Sequence, residues 1–230
     1  MALPPRRAPP LGANLKKKAG SAAAPEKGVM AVAPVFKGDT IVIVAGGPSL
    51  TADQVNYCRG RARVLVINDG YLLAPWADAL YACDFPWWSA HDGVADFAGL
   101  KFTQDERPPK QWPDVHRIAG IHAPGLSLDP DLIHFGGNSG YQAINLAVHL
   151  GAKRIVLLGF DLRLGDDGKR HWFGDHRAGL NNPDAGHMAR WLDNFATMIP
   201  DLERAGVEVI NCTPGSALEC FDKDDLHATL

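Results

Sequence analysis

The sequence lacks long hydrophobic runs, closely spaced cysteines and a strong excess of charge. No apolar stretch approaches the ~20 residues that a membrane-spanning helix needs. The four cysteines are scattered without a C-x-x-C pair, which argues against a zinc ribbon, a redox dithiol or a dense disulfide framework. These absences predict a cytoplasmic protein without a membrane span.

Basic residues are few in the body of the chain and concentrated near its start. Residues 1–38 carry a charge of about +6, which leaves about −9 for residues 39–230. An acidic body is a poor general binder of the nucleic acid backbone. The first segment is also rich in Ala, Gly and Pro, so we expect residues 1–38 to be a disordered basic arm, the only part suited to a polyanion.

From residue 39 onward, short apolar segments alternate with amphipathic ones. This alternation predicts an α/β fold, a Rossmann-like doubly wound, mostly parallel sheet in a single domain over residues 39–230. Segment 85–115, with its prolines and tryptophans, is interpreted as an insertion or lid. The predicted strands are 40–45, 63–69, 78–84, 100–104, 116–121, the end of 136–162, and 207–213, with helices beginning at Thr51, after Gly140 and over 184–205.

Polar residues follow several of these strands, at the sheet edge where α/β proteins bind ligands. Glycines in "VAGGPSL" allow backbone amides to approach an anion, although a plain tight turn has the same composition. A second Gly/Ser turn precedes the central helix. The residues that these positions nominate for a nucleotide site are Gly46, Gly47, Pro48, Ser49, Asn68, Asp69, Asp84, Asn138, Ser139, Gly140 and Asp161.

The segment 165–182, "GDDGKRHWFGDHRAGLNN", is too long for a plain connection and is typical of a functional lid. Arg170, His171, His176 and Arg177 give it charges suited to a phosphate or a leaving group. A metal site at its histidines is not favoured, because their spacing matches no H-E-x-x-H pattern.

His187 is the candidate general base. It stands in the first turns of the predicted 184–205 helix, beside the apolar stripe rather than within it. The positive end of the helix dipole disfavours an imidazolium, so a neutral ring that accepts a proton is expected there.

Taken in order, "VAGGPSL", "IND", "GNSGYQAINLAVHLGAKRIVLLGFDL", "HMARWLDNF" and "VEVINCTPGSAL" resemble the bacterial sialyltransferases of glycosyltransferase family 42. They are also similar to the domain named for the archaeal 6-hydroxymethylpterin pyrophosphokinase MptE, and to proteins encoded by phages and prophages. The likeness covers about residues 40–220.

The glycosyltransferase resemblance implies a nucleotide-sugar donor, a small-molecule or glycan acceptor, and no required cofactor. It implies that the Gly-Pro-Ser turn, Asn68, Ser139 and Gly140 surround the nucleotide and that His187 is the base on the acceptor hydroxyl. The family's lid tyrosines are absent, and His171, Arg170 or His176 are expected to assist phosphate departure instead.

Two other functions remain open. A pyrophosphokinase would use Mg²⁺ and ATP, with Asp69, Asp84 and Asp161 holding the metal while a diphosphoryl group passes to a pterin-like or other hydroxymethyl substrate. A non-catalytic nucleotide-binding module would keep the Gly-Gly-Pro-Ser turn without the lid chemistry.

Overall fold

Strands rich in β-branched residues form the sheet of the computed structural model, which describes residues 31–177, 179–180 and 182–230. The strands are β1 Thr40–Val44, β2 Arg63–Ile67, β3 Ala79–Tyr81, β4 Leu100–Thr103, β5 Val115–Arg117, β6 Ala119–Ile121, β7 Leu132–His134, β8 Arg154–Leu158, β9 Glu208–Asn211 and β10 Asp222–Lys223. The helices are α1 Ala52–Cys58, α2 Phe85–Ala90, α3 Pro108–Gln111, α4 Ser139–His149, α5 Ala185–Ala196, α6 Ile199–Ala205 and α7 Leu226–Thr229, with 3-10 turns at Asn68–Leu72 and Asp92–Val94.

The main sheet has eight strands in the order β10-β9-β8-β1-β2-β3-β4-β5, and every neighbouring pair is parallel. The chain first moves from β1 out to β5 and then crosses back through α4 to β8 on the other side of β1. The strand order therefore reverses between β1 and β8, which is the topological switch point of a doubly wound sheet. This architecture confirms the α/β, Rossmann-like prediction.

Alternate residues of the central strands face two separate cores, as the two-residue period of a strand requires. Ile41 and Ile43 of β1 pack in the core beneath α4, α5 and α6, whereas Val42 and Val44 pack in the core beneath α1, α2 and α7. Burial on both faces explains why these strands are continuously apolar instead of alternating.

Two local predictions are wrong. Segment 116–121 is two short strands in different sheets, because β5 ends the main sheet and β6 pairs with β7 after the fully buried Ile118. The helix expected over 184–205 is interrupted between α5 and α6. Pro200 lies in the first turn of α6, where its missing N–H is tolerated, whereas inside one long helix it would remove a hydrogen bond.

Segment 85–115 belongs to the sheet layer rather than forming an insertion or lid. It supplies β4 to the sheet, and Trp87 and Trp88 are buried in the core beneath α2. At the start of the described chain, Val32 and Phe36 are buried in the opposite core, so residues 31–38 are not part of an arm. Residues 1–30 of the predicted arm lie outside the described residues. No helix in the described part of the chain combines the length and apolar character of a membrane span.

Candidate active site

The predicted nucleotide-site residues lie at one edge of the main sheet, because all of its strands run in the same direction. The Gly-Gly-Pro-Ser turn follows β1, Asn68 follows β2, Asp84 follows β3 and Asp161 follows β8. The N-terminus of α4 reaches the same edge. Ser139 Oγ lies 3.1 Å from Cys83 Sγ after β3, and a Cβ on Gly140 would lie 2.8 Å from the Phe160 ring after β8.

Asp161 holds the Gly-Gly-Pro-Ser turn in place. Its Oδ1 accepts a 3.0 Å hydrogen bond from the Ser49 amide, and the Gly47 amide donates to the Gly159 carbonyl at 2.8 Å. A Cβ on Gly47 would lie 1.9 Å from Asp161 Oδ2, so only glycine permits this approach. Asp161 is 1% exposed, and burial raises the pKa of its carboxyl although the Ser49 contacts oppose that rise. Asp161 therefore supports the turn from inside the protein.

Asn68 has a backbone conformation that non-glycine residues seldom adopt. Its φ is +47°, in the left-handed region, at the point where β2 passes into the 3-10 turn. Its side chain is half-buried and forms no hydrogen bond with the rest of the described chain. Asn is one of the non-glycine residues that adopt this region most readily, so it is the unpaired, half-buried amide that agrees with a ligand-binding role for Asn68.

Asp69 is surrounded by ring nitrogens from two other segments. Trp87 Nε1 donates a 2.8 Å hydrogen bond to Oδ1, His91 Nε2 lies 3.1 Å from the same oxygen, and His176 Nδ1 lies 3.3 Å from Oδ2. Burial alone would raise the pKa of Asp69, but the contacts with His176, His91 and Trp87 outweigh burial and hold it well below its usual range. Asp69 is thus an ionised carboxylate that joins β2, α2 and the long loop.

The loop between β8 and α5 covers the Gly-Gly-Pro-Ser turn. The Trp172 amide donates to the Gly46 carbonyl at 3.1 Å, and a Cβ on Gly165 would lie 3.2 Å from Pro48. Arg177 reaches the end of α2, where its Nη2 lies 3.4 Å from His91 Nε2. The predicted lid therefore lies over the switch point. His176 contacts Asp69 and Arg177 contacts His91, which join the loop to β2 and α2.

The charges of this loop are largely paired within it. Arg170 Nη1 lies 2.9 Å from Asp175 Oδ1 and its Nε donates to the Pro183 carbonyl, while Lys169 pairs with Asp167 at 2.5 Å. Burial, with a contribution from the charge of His176, lowers the pKa of His171 to about 4. A neutral His171 and a paired Arg170 do not match the expectation that they neutralise a departing phosphate.

Several buried polar atoms at this edge have no hydrogen-bond partner among the described residues. They are Asn138 Nδ2 before α4, His171 Nε2 and Trp172 Nε1 in the loop. Ser49 Oγ in the turn and Asp161 Oδ2 after β8 are also buried, and these two side chains interact with each other without a well-directed hydrogen bond. Buried polar groups in native proteins are satisfied by protein, water or ligand, so the unpartnered atoms before α4 and in the loop agree with a polar ligand at this edge.

His187 lies in a separate open groove. Its Nδ1 is 2.7 Å from Oδ1 of Asp184, the residue that caps α5, so the carboxylate orients the ring and leaves Nε2 free. The His187 side chain is 49% exposed. The groove has a volume of about 360 Å³ and is lined by Gly137, His187, Arg190, Trp191, Asp193 and Asn194. Gly137 connects this groove with the turn that begins α4.

The carboxylates expected to hold magnesium do not fit a shared metal site. Asp69 is enclosed by Trp87, His91 and His176, Asp161 is buried against the Ser49 amide, and Asp84 is exposed at the start of α2. No group of three or more His, Cys, Asp or Glu side chains within the described ranges has a metal-binding arrangement. These three carboxylates are therefore not assigned a role in binding magnesium together.

The sequence indicated neither His91 nor Asp184 as part of the site. His91 comes to Asp69 only through the packing of α2, and no local pattern carries that information. Asp184 did have a signal, because an Asp three residues before His187 is an N-cap pattern.

Comparisons with known proteins do not assign the chain to a family. No protein-family model matches the chain, and no curated protein matches it significantly. Among solved structures, thiamin pyrophosphokinase from Geobacillus thermodenitrificans is similar with a TM-score of 0.34 and 16% identity, over 74% of this chain and 58% of that one. A similarity this weak does not identify a function. It does not confirm the resemblance to family 42 glycosyltransferases, and it does not conflict with the pyrophosphokinase resemblance.

Proposed function

We propose that this protein is a nucleotide-dependent transferase that acts on a hydroxyl acceptor. The observation that carries the proposal is the set of buried polar atoms without a hydrogen-bond partner among the described residues, which lie at the start of α4 and in the loop that covers the Gly-Gly-Pro-Ser turn. Nucleotides bind doubly wound sheets at this position, outside the carboxyl ends of the strands.

The N-terminus of α4 is the phosphate site in this proposal. Asn138 caps the helix by accepting from the Tyr141 amide at 2.9 Å, and Ser139 and Gly140 form its first turn. The 11-residue helix directs free amides and the positive end of its dipole toward the sheet edge. A phosphate here would lie beside the end of β3 and close to the Gly-Gly-Pro-Ser turn.

His187 is the general base in this proposal, and its groove holds the acceptor. With Nδ1 directed to Asp184, Nε2 takes the proton of the acceptor hydroxyl. In glycosyl transfer, the preferred reaction, the acceptor oxygen forms a bond to the anomeric carbon of the donor sugar. The bond from that carbon to the phosphate oxygen breaks, and the nucleotide leaves with the electron pair.

Diphosphoryl transfer from ATP is the second candidate. The exposed carboxylate of Asp84, next to the turn that begins α4, favours it because a nucleotide bound there would meet an anionic group suited to a cation. The same His187 base would then activate a hydroxymethyl acceptor.

A thermal-shift screen against CMP, UDP, GDP, ADP and ATP, each with and without Mg²⁺, tests the proposal. A nucleotide at 100 times its dissociation constant adds about 2.7 kcal/mol to the unfolding free energy, which raises the melting temperature by a few degrees. Stabilisation by CMP or UDP without metal supports glycosyl transfer, and stabilisation by ATP only with Mg²⁺ supports diphosphoryl transfer. The proposal is overturned when none of the ten conditions stabilises the protein.

A further inference from the structure

His171 is the residue of the covering loop that lies against Gly46 of the Gly-Gly-Pro-Ser turn. A Cβ on Gly46 would be 3.2 Å from His171 Nδ1, and the next residue, Trp172, donates its amide to the Gly46 carbonyl. The imidazole stacks on Phe173 with ring centroids 5.0 Å apart and planes 8° from parallel, and the His176 ring is 4.6 Å away. These contacts fix the ring of His171 directly above the turn.

The protonation state of His171 follows from its surroundings. Burial, and next the charge of His176, lowers its pKa to about 4, and the Gly46 backbone, which faces Nδ1 as an acceptor, partly opposes that fall. A neutral imidazole carries one proton, so Nδ1 holds it toward Gly46 and Nε2 keeps its lone pair. His171 Nε2 is therefore a hydrogen-bond acceptor, buried and without a partner in the described part of the chain.

An acceptor of this kind calls for a donor from the ligand. Phosphate oxygens of a nucleotide carry no proton to donate at neutral pH, whereas ribose hydroxyls do. The hydroxyls are also common to every nucleotide that suits the site, whatever its base. Since Nε2 has almost no solvent-accessible surface, a ligand hydroxyl can reach it only after a shift of the segment around His171.

We propose that His171 Nε2 accepts a hydrogen bond from a ribose hydroxyl of the bound nucleotide, which makes His171 a specificity residue for ribonucleotides. The inference rests on the proposed function and adds to it the sugar position. It replaces the phosphate-neutralising role expected for His171, because a neutral acceptor recognises a hydroxyl group rather than an anion.

The test measures dissociation constants by calorimetry for CMP, UDP and ADP and for the 2′-deoxy and 3′-deoxy analogue of each. Wild-type protein is expected to bind one of the two deoxy analogues about ten-fold more weakly or worse, because the buried nitrogen then stays unpaired. In His171→Phe, which keeps an aromatic ring against Phe173, the same deoxy analogue should bind within about two-fold of the parent nucleotide. His227→Phe is the matched control, because it makes the same substitution at an exposed histidine that packs on Tyr57, and it should retain the wild-type discrimination.

The outcomes separate this inference from the proposed function. Nucleotide binding without any discrimination by wild-type protein overturns the inference alone, and so does discrimination that survives in His171→Phe. Discrimination only between bases overturns it as well, because the donor would then be a base amine. Absence of binding by all three nucleotides overturns the proposed function and this inference with it.

Discussion

Residues of the same type at the switch point have different surroundings and therefore different roles. Asp161 and Asp69 both follow strands, yet Asp161 is buried beneath the turn with a raised pKa and Asp69 is an ionised carboxylate surrounded by nitrogens. Gly46 and Gly47 also differ, in the space that their surroundings leave for a side chain. A Cβ on Gly46 would lie 3.2 Å from His171 Nδ1, a contact that a shift of a few tenths of an ångström relieves, whereas one on Gly47 would meet the Gly159 carbonyl at 2.5 Å as well as Asp161.

Gly47→Ala should therefore disrupt the turn. We expect it to lower the unfolding free energy by about 2 kcal/mol or more and to weaken nucleotide binding, because backbone cannot retreat as a side chain can. Gly46→Ala should cost less than about 1 kcal/mol. Urea denaturation and calorimetry of the two variants measure this, and equal losses would show that the turn does not depend on the Asp161 contact.

The second prediction for a single residue concerns His187, the proposed general base. His187→Ala should reduce the turnover number by about 10²- to 10⁴-fold, the usual contribution of a general base, while nucleotide affinity stays within a few-fold. His227→Ala is the control, because that exposed ring packs on Tyr57 at the end of α1 and is expected to leave turnover unchanged. A turnover number retained by His187→Ala would remove the residue from the mechanism.

At the scale of elements, the loop between β8 and α5 depends on a few side-chain attachments. His176 of the loop contacts the Asp69 carboxylate, and Arg177 of the loop contacts His91 and donates to the Ala90 carbonyl. These contacts join the loop to β2 and α2, which are otherwise distant in sequence. Opening of the loop thus requires the Asp69 contacts to break while the sheet stays intact.

Weakening this attachment should expose the loop to protease. His176→Ala and Asp69→Asn are each expected to speed trypsin cleavage after Arg177 about five-fold, since loss of one buried polar contact raises the open population by that order. Asp53→Asn makes the same charge change on exposed α1 and should leave cleavage unchanged. Cleavage rates are read by mass spectrometry under native conditions, and unaltered rates in both loop variants would contradict the attachment.

For the whole molecule, burial of ionisable groups at the sheet edge makes stability depend on pH. His171 has a folded pKa of about 4 against an ordinary value of 6.5. Between pH 6.5 and pH 4, His171 is therefore protonated in the unfolded chain and neutral in the folded protein. The free energy of unfolding consequently falls as the pH drops from about 6.5 toward 4. Asp69, with its lowered pKa, stabilises the fold above the ordinary carboxyl range and loses that contribution only at still lower pH.

His171→Phe should flatten this acid dependence. Wild-type protein is expected to lose roughly 2–3 kcal/mol between pH 7 and pH 4.5 through His171, and the variant should not show this loss. Urea denaturation at the two pH values measures the difference. His227→Ala, which removes an exposed histidine, should keep the wild-type slope, and a slope also kept by His171→Phe would show that the ring is not buried as a neutral group.

Local patterns predicted the fold well where one physical signal dominates. β-branched runs located the central strands, and α1 begins after Thr51 as predicted, where Thr51 and Gln54 form a capping box. Gly206 ends α6 with φ +65°, directly after the predicted end of the helix at residue 205. The break before Pro200 and the change of sheet after Ile118 were missed, because hydrophobic periodicity continues through both points although the backbone does not.

The sequence by itself determined the parallel sheet and the polar residues at its carboxyl edge, since strand periodicity and turn composition are local properties. Only the tertiary structure decided what those residues do. His91 and His176 reach Asp69 from segments more than 20 residues away along the chain, and His171 becomes neutral only because the loop is buried on Gly46. Burial and long-range contact set protonation and partners, and neither is encoded in the spacing of residues along the chain.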